Sequence, residues 1–520
     1  MDILFRQSSS KQTTSLSEET IKDIALYEVI DHLGGDQDEK KSLKKIMSEI
    51  PADPEDMRYR QQIMKDLLDN EDLCSSLKEA LDQIKILKHY SGVKKASSDK
   101  DTTLYTLLET MRELVVYVNV VEALHKELTS SKISSEGLIT LRDSLDAIIK
   151  DEKFSVAKKD IQVMYDDLSN VRAAIIGVNF TPDFNIDKVT AIEFVPHGIR
   201  SKYTLADIAL GSKVSNPFNK YRYEDPLLAA IAPKMEKHLK LHFFEIKRTL
   251  SKYVNYDSRS LTEMYEGLSF YLRSADLGRK LRSGGYELSF PEIKDGDDSE
   301  LIVKEFYNIR LAFNGEQNIV KNDFSFSKDE RIFILTGPNR GGKTIVEQAL
   351  GLISVMMSLG LFVTAKTCTG LPFKKILTHF PIDENLTINY GRLGEEAIRI
   401  KEIVKLSDKD TLILFNETFS TTSASDGLYL SMDLIRVLKE KGSFVIFNTH
   451  IHELAKEISE MNKWTGRGSI ISLVMERKDN RNTFLLKRAE PDASSYARDI
   501  AVKYGITYEQ LTETTENGDK

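Results

Sequence analysis

The sequence predicts an α plus α/β architecture: a long helical region with a small β-containing insertion, then an α/β domain on a mostly parallel sheet. Three observations predict it. Apolar residues recur at helical spacing from residue 17 to about 172, and again from Leu227 to about Leu281. Between these arms lie two short β-like runs around a Thr-Pro-Asp turn. From about Glu305 the pattern becomes strand–loop–helix alternation, which a parallel sheet requires.

Taken in order, residues 1–16 form a short N-terminal segment, too quickly polar for a signal peptide. Residues 17–172 read as a helical core and first lever arm, with Pro51 and Pro54 at one joint and the polar stretch 91–103 at another. One helix opens at Ser134–Glu136 and is broken near Lys150–Lys153. Residues 173–226 form the insertion, whose runs Ile175–Phe180 and Val189–Phe194 read as a β-hairpin. A second arm covers 227–300, the α/β domain 305–507, and a polar tail 508–520.

With 520 residues, 41% hydrophobic and 29% charged, the chain has the composition of a soluble protein of two or three domains. It contains no apolar run of about 18 residues, so no membrane span is expected. Cys74 and Cys368 are far apart and form no metal-ligand spacing, which fits a reducing cytoplasm. A net charge of −8 argues against a strongly basic nucleic-acid binder but leaves room for a local basic patch.

The chemistry begins at RIFILTGPNRGGKT, residues 331–344, which fits G-x-x-x-x-G-K-[ST] through Gly337, Gly342, Lys343 and Thr344. In such a Walker A loop, glycines let backbone N–H groups crowd around phosphate oxygens. Lys343 reaches the β- and γ-phosphates of ATP, and the Thr344 hydroxyl ligates Mg²⁺. The apolar strand before the loop and the helix after it are the required context. Downstream, TLILFNE (411–417) reads as a buried strand ending in Asn416 and Glu417. Glu417 could orient or deprotonate the attacking water. A third strand, SFVIFNTH (443–450), leads to His450, a candidate γ-phosphate sensor.

Together, the segment Thr336–Thr344, the acidic strand, Thr422–Gly427 with its S-A-S-D-G, and the Thr449–Leu454 stretch T-H-I-H-E-L resemble the ATPase domain of the MutS family. These are ABC-type ATPases best known from DNA mismatch repair. Residues 492–506, with Tyr496 and Gly505, are similar to the helix that closes that domain. The likeness is specific over about 305–506. Over about 17–300 it is one of plan, helical arms interrupted by a clamp, with IGVNF (176–180) similar to the start of the clamp. The resemblance implies ATP and Mg²⁺ as cofactors, with Gly337, Pro338, Asn339, Arg340, Gly341, Gly342, Lys343 and Thr344 on the nucleotide. It also implies a homodimer, because the family builds each ATP site from two subunits.

Departures from the family pattern matter as much. Asn416 stands where the family has the Walker B Asp, so Thr344 and Asn416 are the candidate protein-side metal ligands. The signature serine, expected on the γ-phosphate of the opposite subunit, aligns with Gly391. Arg340 replaces the usual Met of the loop, and the position that sets an aromatic against adenine falls near Ile319. The family's mismatch-reading N-terminal domain is not expected here. Its Phe-x-Glu motif occurs at Phe243–Glu245 and Phe290–Glu292, about the number chance supplies in so Phe- and Glu-rich a chain. Losing a carboxylate beside a hard dication should weaken Mg²⁺ holding without abolishing it. ATP binding with slow hydrolysis is therefore expected.

Two functional readings remain open. The loop from Val195 to Arg222 carries Arg200, Lys202, Lys213, Lys220 and Arg222 against the single acid Asp207, with aromatic residues interleaved. At the end of two arms it would suit contact with the backbone of duplex or branched DNA, in repair or recombination, without base readout. Five basic residues in a solvated loop can also mean little. The alternative is then a nucleotide-switched scaffold whose partner is a protein or ribonucleoprotein.

Overall fold

The structure, a computed structural model, describes residues 2–90, 104–168, 173–195, 240–253, 259–296, 299–381, 392–478, 481–490 and 507–511. The chain divides into two compact units, residues 1–4 with 69–272 and residues 5–68 with 273–520. No described helix is long and apolar enough to cross a membrane.

In the first unit, α5 (Glu71–Tyr90), α6 (Leu104–Ser130), α7 (Glu136–Lys150) and α8 (Glu152–Leu168) pack in sequence order. The reason is periodic. Met111, Leu114, Tyr117, Val118, Val121, Leu124 and Leu128 are all buried along α6, and Leu73, Leu77, Leu81, Ile84 and Leu87 along α5. The break between α7 and α8 at Asp151 falls where the charged 150–153 stretch predicts it. β3 (Ala173–Phe180) and β4 (Ile186–Val195) form the expected antiparallel hairpin, closed where Thr181 N–H donates to Asn185 O at 2.9 Å. α9 (Lys240–Leu250) and the first part of α10 (Arg259–Ser283) complete the unit.

The second unit is built on a six-stranded sheet ordered β10-β11-β12-β8-β13-β14. β10 (Lys375–His379), β11 (Thr411–Asn416), β12 (Phe444–Asn448), β8 (Glu330–Thr336) and β13 (Ser469–Lys478) are parallel to their neighbours, and β14 (Arg481–Arg488) returns antiparallel at the edge. β11, β12 and most of β8 are buried residue after residue, as strands covered on both faces must be. α12 (Lys343–Ser358), α13 (Arg392–Leu406) and α14 (Ala424–Lys441) connect them, with the short α15 (His452–Lys456) and α16 (Ile458–Met461) after β12.

Strand–helix alternation alone does not anticipate a second, four-stranded sheet. It is ordered β5-β9-β6-β7, from β5 (Glu292–Ile293), β6 (Glu300–Phe306), β7 (Asn322–Phe326) and β9 (Thr367–Leu371), and is mostly antiparallel. Between β6 and β7 lies α11 (Ile309–Phe313).

The first helices belong to this unit too. α1 (Glu18–Asp23), α2 (Leu26–Leu33), α3 (Gln37–Ser48) and most of α4 (Pro54–Asp69) accompany the short paired strands β1 (Thr13–Ser15) and β2 (Glu49–Pro51). α1 lies against β10: Asp23 Oδ2 accepts from Thr378 Oγ1 at 2.7 Å and from Arg399 Nη2 at 2.8 Å. Its C-terminal carbonyl accepts from Gln348 Nε2 of α12 at 2.8 Å. The helix behind the phosphate-loop sequence is thus braced by the N-terminal region of the chain.

Candidate functional site

β8 runs straight into the glycine loop, and the loop's conformation explains its composition. Gly337 has φ 141° and Gly342 φ 94°, values that side chains rarely tolerate. A Cβ on Gly337 would also lie 2.9 Å from Met475 Cβ of β13. Arg340 takes φ 58° between them, and its carbonyl accepts from Asn482 Nδ2 at 3.2 Å. Pro338, Asn339 and Gly341 complete the loop, with Gly341 N–H donating to Pro338 O at 3.1 Å.

Lys343 opens α12. Its Nζ donates to Gly337 O at 3.0 Å and Pro338 O at 3.3 Å, so the ammonium is folded back over the loop. Burial lowers its pKa, and the neighbouring Glu417 and Glu347 carboxyls act in the opposite sense. Thr344 Oγ1 donates to Asn416 Oδ1 at 3.3 Å. The two candidate metal ligands therefore stand side by side at the ends of α12 and β11.

Parallel pairing of β11 with β12 sets Asn416 opposite Asn448, and Asn448 Nδ2 donates to Asn416 Oδ1 at 2.6 Å. Glu417 follows with φ 52°, its N–H donating to Asn448 O at 2.9 Å. That turn aims its half-exposed carboxylate at His450, whose Nε2 lies 2.6 Å from Glu417 Oε1. The hydrogen bond to His450 holds the Glu417 pKa below the usual glutamate value despite partial burial, with the His450 and Lys343 charges acting in the same sense. It is a carboxylate at neutral pH.

Lys343, Thr344 and Glu417 border a cavity of about 480 Å³, the size of ordinary small-molecule sites. Loop residues Asn339–Thr344 and Glu417 form one side, while Tyr307, Ile319, Met475 and Phe484 add apolar walls. Ile319 lines the cavity, and Tyr307 and Phe484 supply aromatic surface there.

The donor set suits Mg²⁺, a hard cation that takes oxygen ligands and keeps several waters. Thr344 Oγ1 and Asn416 Oδ1 are neutral oxygens. Among the described residues no cluster of three His, Cys, Asp or Glu side chains could hold a metal alone. Nucleotide phosphates would have to complete the coordination.

One group escaped the sequence reading. Glu347 on α12 is fully buried, and burial pushes its carboxyl well above the usual range. The available signal was a single acid in an otherwise apolar helix, one turn beyond Lys343. Gly391, and the basic residues Arg200, Lys202, Lys213, Lys220 and Arg222, lie outside the described residues, as does the 492–506 segment.

β8, the glycine loop and α12, with β11 alongside, form the strand–loop–helix arrangement of phosphate-loop proteins. Comparison with known sequences is more specific. Residues 333–515 match the family model for MutS domain V, and residues 52–173 that for the MutS2 N-terminal domain. The chain belongs to the MutS family. Among curated relatives, an "Endonuclease MutS2" of Staphylococcus aureus is 29% identical over 217 residues, 40% of this chain and 26% of the relative. An "Endonuclease MutS2" of Acetivibrio thermocellus is 28% identical over 159 residues, 30% of this chain and 20% of the relative. A "DNA mismatch repair protein MutS" of Streptococcus equi subsp. equi is 29% identical over 199 residues, 38% of this chain and 23% of the relative. The matches span about a quarter or less of these relatives' length.

Proposed function

We propose that the protein is an ATP-binding MutS-type protein, a slow Mg²⁺-dependent ATPase acting as a homodimer on DNA structure in repair or recombination. The observation that carries the nucleotide part is the arrangement around the cavity. Loop residues Asn339–Gly342 with Lys343, Thr344 and Glu417 line one space, while Asn416 is hydrogen-bonded to Thr344 and His450 to Glu417 at its edge. Names of relatives that refer to endonuclease and mismatch repair proteins support the DNA part.

In this reading, loop N–H groups and the N-terminus of α12 take the phosphate oxygens, and Lys343 swings from its carbonyl partners to the terminal phosphates. Thr344 and Asn416 would hold Mg²⁺, which supplies charge neutralisation on the phosphates. Glu417, kept anionic by His450, accepts a hydrogen bond from the attacking water and orients it. With its pKa depressed, it positions the water more than it deprotonates it. Asn416 contributes an oxygen but no charge, which is why turnover is slow. Gly391 would face the partner subunit's nucleotide, and the 200–222 basic residues the DNA backbone.

The test is binding of a fluorescent ATP analogue and of duplex and branched DNA to the purified chain, each with and without the other. Tighter binding of either ligand in the presence of the other supports the reading, since coupling is reciprocal. Nucleotide binding with no DNA binding at any salt favours the scaffold alternative instead.

A further inference from the structure

The polar groups behind the loop form a file that runs into the protein. Thr344 Oγ1 meets Asn416 Oδ1 at 3.3 Å, Asn416 Oδ1 meets Asn448 Nδ2 at 2.6 Å, and the same Nδ2 lies 3.4 Å from Glu347 Oε2. At the end of the file, Glu347 Oε1 and Asn448 Oδ1 are buried without hydrogen-bond partners among the described residues. A buried carboxyl with an unused oxygen is costly, and a fold tolerates it where a nearby charge offsets the cost.

Orientation follows from the same file. An amide side chain can present its oxygen or its nitrogen to a neighbour. Once ionised, Glu347 can only accept and so selects the nitrogen of Asn448, because the flipped amide would set its oxygen against both Glu347 and Asn416 Oδ1. With Asn448 donating, Asn416 must offer its oxygen toward Thr344. The acid at 347 thereby fixes two amides in turn.

We propose that Glu347 is a positioning residue: the charge of an entering Mg²⁺ brings this buried acid to its carboxylate form, which offsets from behind Asn416 the negative charge the Walker B position lacks and, through Asn448, keeps the Asn416 oxygen turned toward the metal. The carboxylate has moved one layer inward, from the end of β11 to the first turns of α12. The proposal rests on reading the cavity as a Mg²⁺-nucleotide site.

The experiment is calorimetric titration of the full chain with a non-hydrolysable ATP analogue, in EDTA and in Mg²⁺. It compares the wild type, Glu347→Gln, Asn416→Asp and the double variant. Glu347→Gln should bind the analogue in EDTA as the wild type does and lose about tenfold or more of the gain that Mg²⁺ provides. Asn416→Asp, with two acids in one buried file, should melt at lower temperature. The double variant should recover both melting temperature and Mg²⁺ response, because one carboxylate is again present. A full Mg²⁺ response in Glu347→Gln would overturn the proposal. If that variant does not fold, a double variant with no more Mg²⁺ response than Asn416→Asp overturns it equally. A wild type that binds no analogue in either buffer overturns the nucleotide reading itself.

Discussion

His450 Nε2 lies 2.6 Å from Glu417 Oε1, joining the residue after β11 to the residue two beyond β12. The contact keeps Glu417 ionised and fixes its direction, because each residue sits at the end of a rigid, buried strand. His450→Ala should slow single-turnover ATP hydrolysis by roughly 10²-fold, the usual worth of a positioned acid–base partner, while ATP affinity changes little. Single-turnover rates beside equilibrium binding separate the two effects.

Lys343 spends its hydrogen bonds on two loop carbonyls and is largely buried. Lys343→Met keeps most of the packing and removes the charge. ATP affinity should fall by about 100-fold, since hydrogen bonds from a charged donor contribute about 1.5–3 kcal/mol each. The nucleotide-free protein should melt no lower than the wild type, because a buried ammonium is costly. Fluorescence titration and a thermal melt check both halves.

His379 on β10 is buried, with Nδ1 3.0 Å from Thr418 Oγ1. Burial and the nearby Arg399 charge lower its pKa to about 4. A base with a depressed folded pKa binds its proton first in the unfolded state. Stability is therefore fully present above pH about 6.5 and is lost as pH falls toward 4. The loss at the low end is on the order of 3 kcal/mol. His379→Gln should flatten this part of the stability–pH curve, measured by urea unfolding between pH 7 and pH 4.

Asp23 ties the N-terminal helix to β10 and α13 through Thr378 and Arg399, with both charged side chains mostly buried. Asp23→Ala leaves the guanidinium without its carboxylate. The expected loss is about 3 kcal/mol, the lower end for breaking a buried pair from one side. Chemical denaturation of the second unit should show it, and limited proteolysis should then cut first between residues 5 and 35.

The glycine loop between β8 and α12 was legible because the strand–loop–helix pattern is local, and Gly337, Lys343 and Thr344 mark it without any tertiary information. Glu417 and His450 were legible as strand ends, although their 2.6 Å contact was not, since it depends on β11 and β12 being neighbours. The α5–α8 helices could be read from periodicity alone. The docking of α1 on β10 could not: Asp23 and Arg399 are separated by 376 positions, and no local pattern marks such a pair. Nor could the mostly antiparallel second sheet, whose short strands resemble the loops between the longer ones. Glu347 was visible as an acid in an apolar helix, but its meaning depends on Asn448, a residue of another strand.

The central claim is that ATP is bound and hydrolysed here although Asn416 offers no charge. Steady-state ATP hydrolysis by the purified chain, with and without duplex and branched DNA and beside Glu417→Gln, tests it most directly. The account predicts slow turnover that requires Mg²⁺, rises with DNA and disappears in Glu417→Gln. A baseline insensitive to DNA and to that substitution would contradict it.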